Sequence, residues 1–226
     1  MRRDSQSAPA RREFLTQVAL AATAISGADL LAPARAGATP TVPRPEGPWD
    51  VSWVARLEHV PYKAVFDTNI IEGGIALDHA ATFLDQFQEV YGTRAGQARA
   101  VLVMRQLGTP MAFNDAIWER YPVATNARLS DTTLRRNPFW RAAEDAPART
   151  VATRLESLMQ RGVIVVVCDI AATNWARSMA ETTGQAPDAV KADVVGNLVP
   201  GAFLAPWGIF AMARAQNAGC AFMHAS

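Results

Sequence analysis

One cysteine lies where an apolar strand is predicted to end and a helix to begin. The run Val163–Cys168 is continuously apolar up to the thiol, and Asp169 follows it directly. A thiol at a helix N-terminus faces the partial positive charge of the helix dipole, which favours the nucleophilic thiolate. The alternative interpretation is that Cys168 is a small buried hydrophobic residue that closes the strand.

Further polar residues accompany the ends of the neighbouring predicted strands. Asp67 ends the first strand and Arg105 ends the second. Because ligands of open parallel sheets bind at the carboxyl ends of the strands, we expect both side chains near Cys168. Arg105 would support a thiolate there and Asp169 would oppose it, and the sequence leaves this balance open. Asn174, in the helix that follows, is a further supporting residue.

The second cysteine is predicted to be structural. Cys220 opens the last strand directly after Gly219, and therefore lies at the amino edge of the sheet. About five residues at ~3.3 Å each put roughly 16 Å between the two edges. A disulfide needs Cα atoms within about 7 Å, so no bridge between Cys168 and Cys220 is expected.

Other kinds of site find little support. The histidines are scattered, and no cysteine or histidine pair has the spacing of metal ligands, so no metal is expected. We expect His79 on a helix surface, His224 packed in the last strand, and Asp115 beside a helix cap at Asn114. No glycine-rich phosphate loop follows the first strand, so no nucleotide cofactor is expected. A formal net charge of +1 argues against a nucleic-acid partner, including at the Arg135-Arg136 pair.

Alternating strands and helices are predicted from the periodicity of the mature chain. The predicted strands are 62–67, 99–105, 163–168, 202–205 and 220–225. Helical spacing is found at 77–91, 115–121, 151–159, in the segment after Asp169, at 188–195 and at 209–216. Crossover helices between successive strands require parallel pairing. The sequence therefore predicts an α/β fold, a three-layer sandwich around a mainly parallel five-stranded sheet.

The first 36 residues have the order of an export signal. Arg11 and Arg12 precede Glu-Phe-Leu, an apolar run covers 18–25, and the small residues of 34–36 suit a signal peptidase. The paired arginines look like a twin-arginine signal, which predicts a periplasmic protein. The apolar run is too short to span a bilayer, so no membrane association is expected after cleavage.

The rest of the chain divides into a linker and one domain. Residues 37–60 begin rich in proline and are predicted to be a linker, at whose end Trp49 and Trp53 pack on the domain. The domain is predicted at 61–226, with an aperiodic insertion at about 122–147. An interface between subunits is a possible role for several tryptophans. These are Trp118, Trp140, Trp175 and Trp207.

Two stretches resemble the DsrE/DsrF sulfur-relay family. Arg161-Gly162 followed by 163–167 and Cys168 is similar to the strand-cysteine-helix unit of that family, and 203–222 is similar to its closing half. The resemblance covers about 62–121 and 151–226. It implies a small flavodoxin-like domain that forms trimers or hexamers, and a cysteine, here Cys168, that carries a persulfide between partner proteins.

Three hypotheses on function follow. In the first, the chain is an exported sulfur carrier or transferase, with Cys168 as the nucleophile and Arg105 as an electrostatic helper. In the second, it is a non-catalytic oligomeric periplasmic protein for binding or assembly, with Cys168 merely packed. In the third, Cys168 is a thiol redox sensor. Reactivity of the Cys168 thiol distinguishes them.

Overall fold

A computed structural model describes residues 47–225. The predicted signal at 1–36 and the first part of the predicted linker, 37–46, lie outside the described residues. No helix within 47–225 has the length and apolar character needed to cross a membrane.

Five parallel strands form one sheet in the order β4-β3-β2-β1-β5. They are β1 (Tyr62–Thr68), β2 (Ala98–Met104), β3 (Ile164–Cys168), β4 (Phe203–Ala205) and β5 (Ala221–His224). The central strands β2 and β3 are apolar apart from Arg99 near the start of β2, because both of their faces are covered. The predicted three-layer α/β sandwich with a parallel five-stranded sheet is confirmed, and it is consistent with a flavodoxin-like architecture.

Eight α-helices connect or flank the strands in the described part of the chain. They are α1 (Ile75–Tyr91), α2 (Asp115–Arg120), α3 (Val123–Asn126), α4 (Ala148–Ala152), α5 (Leu155–Gln160), α6 (Asp169–Thr183), α7 (Pro187–Gly196) and α8 (Gly208–Asn217). Short 3-10 helices add Ser52–Leu57, Glu72–Gly74 and Gln106–Ala112. Asn114 caps α2 as predicted, since its side-chain oxygen accepts hydrogen bonds from the backbone N–H groups of Ala116 and Ile117.

The strand order decides which face each helix covers. Strands β1 to β4 follow one another in one direction across the sheet, and right-handed crossovers therefore put α1, α2, α5, α6 and α7 on one face. The chain then reverses direction to reach β5 on the far side of β1. The helix of that crossover, α8, consequently covers the opposite face, where Ala211 and Ala215 pack against Val65, Val103 and Val166.

One predicted boundary needs correction, and one predicted segment is more buried than its sequence indicates. The predicted linker ends earlier than residue 60, because Trp53 and Leu57 of the first 3-10 helix are fully buried in the core on the α8 face. The predicted insertion at 122–147 is largely irregular, yet it contributes buried side chains to the other core. Asn137 fastens it there by donating from Nδ2 to the carbonyl oxygens of Met111 (2.8 Å) and Phe113 (2.6 Å).

The single helix predicted at 151–159 is wrong, because the structure has two short helices, α4 and α5. Between them, Arg154 adopts an extended backbone conformation. The N–H groups of Leu155 and Glu156 donate to the carbonyl oxygens of Phe139 and Trp140, each at 3.0 Å. Pairing with the irregular segment therefore takes up backbone donors at the point where a continuous helix would need them.

Candidate functional site

The carboxyl edge of the sheet brings together the three residues that strand ends predicted. Met104 is paired with Val167, so Arg105 and Cys168 are the next residues on adjacent strands. Side chains alternate between the two faces of a strand, and this alternation directs Asp67, Arg105 and Cys168 to the same face as Val103 and Val166. That face is the one covered by α8.

Arg105 and Asp67 form a bidentate ion pair. The Nε and Nη2 groups of Arg105 donate to Oδ1 and Oδ2 of Asp67, both at 2.6 Å. The Asp67 side chain is 6% exposed and the Arg105 side chain 20%. The hydrogen bonds that Arg105 donates to Asp67 raise the pKa of Arg105 above its ordinary value; burial opposes this, and the negative charge of Asp67 adds to it. Arg105 is therefore fixed in orientation and charged beside the cysteine.

The N-termini of two helices meet at Cys168. Cys168 itself is the N-terminal capping residue of α6, and its own side chain makes no capping hydrogen bond. The N-terminus of α8 approaches from the other side, at Gly208. A Cβ atom at Gly208 would lie 3.1 Å from Cβ of Arg105 and 3.5 Å from Cβ of Cys168, so a side chain at this position would crowd Arg105. Both helix N-termini therefore lie next to Cys168, and the partial positive charge of a helix N-terminus stabilises a negative charge nearby.

The opposing charge of Asp169 is neutralised by a residue that the sequence did not single out. Lys191 of α7 contacts the Asp169 carboxylate through Nζ, which also donates to the Asp169 carbonyl oxygen (3.0 Å) and to Oγ1 of Thr173 (2.7 Å). The chain has only two lysines, Lys63 and Lys191. The sequence left open whether the charge of Arg105 or that of Asp169 acts more strongly near Cys168. Because Lys191 neutralises Asp169, the positive charge of Arg105 has the stronger effect.

A cavity of about 410 Å³ opens beside these groups. Cys168 and Arg105 line it, as does Asn174, whereas Asp67 and Asp169 do not. Cys168 is 3% exposed, so its sulfur is reached through this cavity and not from the general surface. The five predicted site residues therefore divide into two groups. Cys168, Arg105 and Asn174 line the cavity. Asp67 instead holds Arg105, and Asp169 is held by Lys191.

Gln106, the next residue after Arg105, contributes to the cavity wall with a strained backbone. Its φ of 49° lies in the left-handed region that residues other than glycine seldom adopt. The indole N–H of Trp175 donates to the Gln106 carbonyl oxygen at 2.8 Å and holds it there. Strain of this kind persists only where the surroundings fix the backbone.

Sequence reasoning missed the rim of the cavity. Leu107, Ile170 and Trp207 line it and are 51%, 44% and 52% exposed. Trp207 follows the carboxyl end of β4, so the argument that found Asp67 and Arg105 would have found it had it been applied to the fourth strand. Asn126, which lies at the start of the segment predicted to be an insertion, also lines the cavity, where its amide donates to Ser178.

The four tryptophans proposed for an interface are not equivalent. Trp118, Trp140 and Trp175 are buried within this chain, and only Trp207 is exposed. The interface interpretation is therefore wrong for the first three, because the core already uses their apolar surface.

The residues that the sequence predicted to lie away from the site do lie away from it. Cys168 and Cys220 are both free thiols, and Cys220 precedes β5 at the amino edge. His79 is exposed on α1 as expected, whereas His224, which was expected to be packed, is exposed on the edge strand β5. Asp115 accepts a hydrogen bond from the backbone of Asn137 at 2.9 Å, which gives it a structural role. Within 47–225, no three metal-ligating side chains of His, Cys, Asp or Glu are grouped.

Comparison with protein-family models and with curated proteins finds no match for this chain.

Proposed function

We propose that the chain is a sulfur carrier or transferase in which Cys168 forms a persulfide. The Cys168 thiolate attacks the terminal sulfane sulfur of a donor, such as an inorganic polysulfide. A new sulfur–sulfur bond forms on Cys168, the sulfur–sulfur bond of the donor breaks, and its electron pair leaves with the shortened donor. The same exchange with an acceptor thiolate returns Cys168 to its starting state, so no external oxidant or reductant is needed.

The observation that carries this proposal is the convergence of positive groups on a thiol at the edge of a cavity. Two helix N-termini lie beside Cys168, Arg105 lines the same cavity, and Lys191 holds the adjacent carboxylate, Asp169. An attacking thiolate, and the persulfide anion that replaces it, both carry negative charge at this position. The same groups therefore suit both states of a carrier.

The resemblance to DsrE/DsrF proteins supports the same assignment. By that resemblance the chain would work as a homo-oligomer, a trimer or hexamer, that exchanges sulfur with a donor or acceptor protein. The exposed edge strand β5, with Phe222 and Met223 open to solvent, supports an association between subunits. Export to the periplasm by the twin-arginine route is the corresponding proposal for location, and it rests on Arg11 and Arg12.

Intact-mass measurement after incubation with inorganic polysulfide tests the proposal. The wild-type chain and Cys220→Ser should gain mass in steps of one sulfur atom, and Cys168→Ser should gain none. Cys220→Ser is the matched control, because it removes the other buried thiol. Equal uptake by Cys168→Ser and the wild type would overturn the proposal.

A second candidate is a non-catalytic binding protein, and the burial of Cys168 favours it. With an exposed fraction of only 3%, the thiol is as enclosed as a packing residue, and the cavity beside it would then serve binding alone. In that case, Cys168 would resist alkylation in the folded chain and react only after unfolding. Rapid alkylation of Cys168 in the folded chain would exclude this candidate.

A further inference from the structure

The rim of the cavity is more apolar than inorganic sulfur chemistry requires. Leu107, Ile170 and Trp207 come from three separate segments, yet all three leave about half of their surface exposed at the same opening. Exposed apolar side chains gathered around a cavity are typical of a binding site. A polysulfide or thiosulfate ion, which is small and strongly hydrated, would gain little from contact with them.

The inner end of the cavity has the opposite character. Arg105 is the cationic residue that lines it, and only two of the five N–H donors of its guanidinium are used by Asp67. The N-terminus of α8 adjoins Arg105 at Gly208, and α8 has neither a capping side chain nor an acidic residue in its first turn. Donors for an anionic group are therefore available next to Cys168, a short distance inside the apolar rim.

We infer that the cavity selects an organic sulfur donor, with an anionic sulfane group at Arg105 and Cys168 and an aryl or alkyl body against Trp207, Leu107 and Ile170. This inference rests on the proposed function and names its substrate class. With a thiosulfonate, R–SO₂–S⁻, the Cys168 thiolate attacks the terminal sulfur. The bond between the two sulfurs of the donor breaks, its electron pair stays on the sulfinate R–SO₂⁻, and Cys168 becomes a persulfide anion, so charge and electrons balance.

Two sulfur donors that share a sulfane group but differ in the group attached to it test the inference. Sulfur uptake by Cys168 is followed by intact mass with benzenethiosulfonate and with thiosulfate, and the ratio of the two rates is compared with that for free N-acetylcysteine. We expect the ratio for the protein to exceed the ratio for the free thiol by at least about tenfold, since burial of a phenyl group against Trp207 favours the aryl donor.

Trp207→Ala should lower the rate with benzenethiosulfonate by about tenfold and bring the ratio close to that of N-acetylcysteine. Ile209→Ala is the matched control, because Ile209 is an exposed apolar residue two positions further along the chain that does not line the cavity. Its ratio should equal that of the wild type. If both donors react in the ratio shown by N-acetylcysteine and Trp207→Ala changes nothing, the inference is overturned while the proposed function stands.

A binding measurement on a variant that cannot accept sulfur distinguishes this inference from the proposed function. Cys168→Ser cannot accept sulfur, and its affinity for benzenesulfonate is measured by titration calorimetry with and without the additional Trp207→Ala change. We expect the second change to weaken binding by about tenfold. Absence of binding to Cys168→Ser would overturn the inference. Binding that depends on Trp207, together with no sulfur uptake by the wild type from either donor, would overturn the proposed function instead.

Discussion

The two cysteines of this chain are both buried, and they lie at opposite edges of the sheet and at opposite ends of the same helix. Cys168 adjoins the N-terminus of α8 at Gly208, and it lines an open cavity. Cys220 follows the C-terminus of α8, where its N–H donates to the Ala215 carbonyl oxygen at 3.0 Å, and its side chain belongs to the apolar core. One helix thus presents its positive end to one thiol and its negative end to the other.

A neighbouring cation does not by itself make a reactive thiol. Burial raises the pKa of Cys220 from 9.0, its ordinary value, to about 11, although the positive charge of Lys63 acts in the other direction. Lys63 donates from Nζ to the Leu57 carbonyl oxygen at 2.9 Å and is not held toward the sulfur. At the carboxyl edge of the sheet, Asp67 holds Arg105 in one orientation, and Gly208 allows the N-terminus of α8 to lie close to Cys168. The two thiols are exposed to a similarly small extent, and their surroundings differ in the cavity and the helix N-terminus that lie beside Cys168.

The largest expected effect is in alkylation by iodoacetamide at pH 8, measured for each cysteine by peptide mass spectrometry. With a pKa of about 11, about one Cys220 thiol in a thousand is ionised at that pH. We expect Cys168 to react at least ~100-fold faster, since its sulfur faces a cavity and positive groups. The Cys220 rate should rise about tenfold for each unit of pH between 8 and 10, because the thiolate is the reacting species.

Comparable alkylation rates for the two thiols at pH 8 would contradict the proposed difference in reactivity between Cys168 and Cys220. A Cys220 rate that does not change between pH 8 and pH 10 would contradict the raised pKa of that residue. Alkylation of the urea-unfolded chain provides the control, since both cysteines should then react at similar rates.

The next largest effect concerns the ion pair that distinguishes the carboxyl edge. Arg105→Gln leaves the Asp67 carboxylate buried without its counter-ion, and we expect the free energy of unfolding to fall by about 3 kcal/mol. Asp67→Asn combined with Arg105→Gln removes both charges and should restore most of that loss. Urea unfolding followed by circular dichroism measures both. A single variant as stable as the wild type would show that the pair does not order this edge.

Much of this edge follows from strand patterns in the sequence. Apolar runs locate β1, β2 and β3, and parallel pairing then places Asp67, Arg105 and Cys168 at one edge. The alternation of side chains along each strand even puts them on the same face. The side of the sheet on which α8 lies was not predicted, because it depends on the reversal of strand order before β5, and strand order is a non-local property.

The parts of the site that were missed depend on packing between distant segments. Lys191 reaches Asp169 because α7 packs against α6, and the spacing of residues in α7 alone does not reveal that contact. Asn126 ends the four-residue helix α3, and hydrophobic periodicity does not detect so short a helix within a segment that is otherwise largely irregular. Trp207 is the exception, since a strand end was visible in the sequence before it.

Lys191 provides a third test, because it removes a negative charge from the surroundings of only one of the two thiols. Lys191→Met leaves Asp169 uncompensated beside Cys168, and we expect sulfur uptake and alkylation at Cys168 to slow by about fivefold. Lys191→Met combined with Asp169→Asn should restore the rate, and alkylation of Cys220 should not change in either variant. If the double variant remains as slow as the single one, Lys191 acts by positioning α7 and not through its charge.

The smallest expected effect compares the two glycines at the ends of α8. A Cβ atom at Gly208 would lie 3.0 Å from Cδ of Arg105, so we expect Gly208→Ala to push the start of α8 away from the site. Gly219 has a φ of 89°, and Gly219→Ala therefore introduces backbone strain next to Cys220. We expect each change to destabilise the chain by about 1–2 kcal/mol in urea unfolding. Only Gly208→Ala should slow alkylation of Cys168, by about two- to threefold, because only that change withdraws a helix N-terminus from a thiol. Equal slowing by both variants would mean that the rate follows general stability, and the polarity of α8 would then not distinguish the two cysteines.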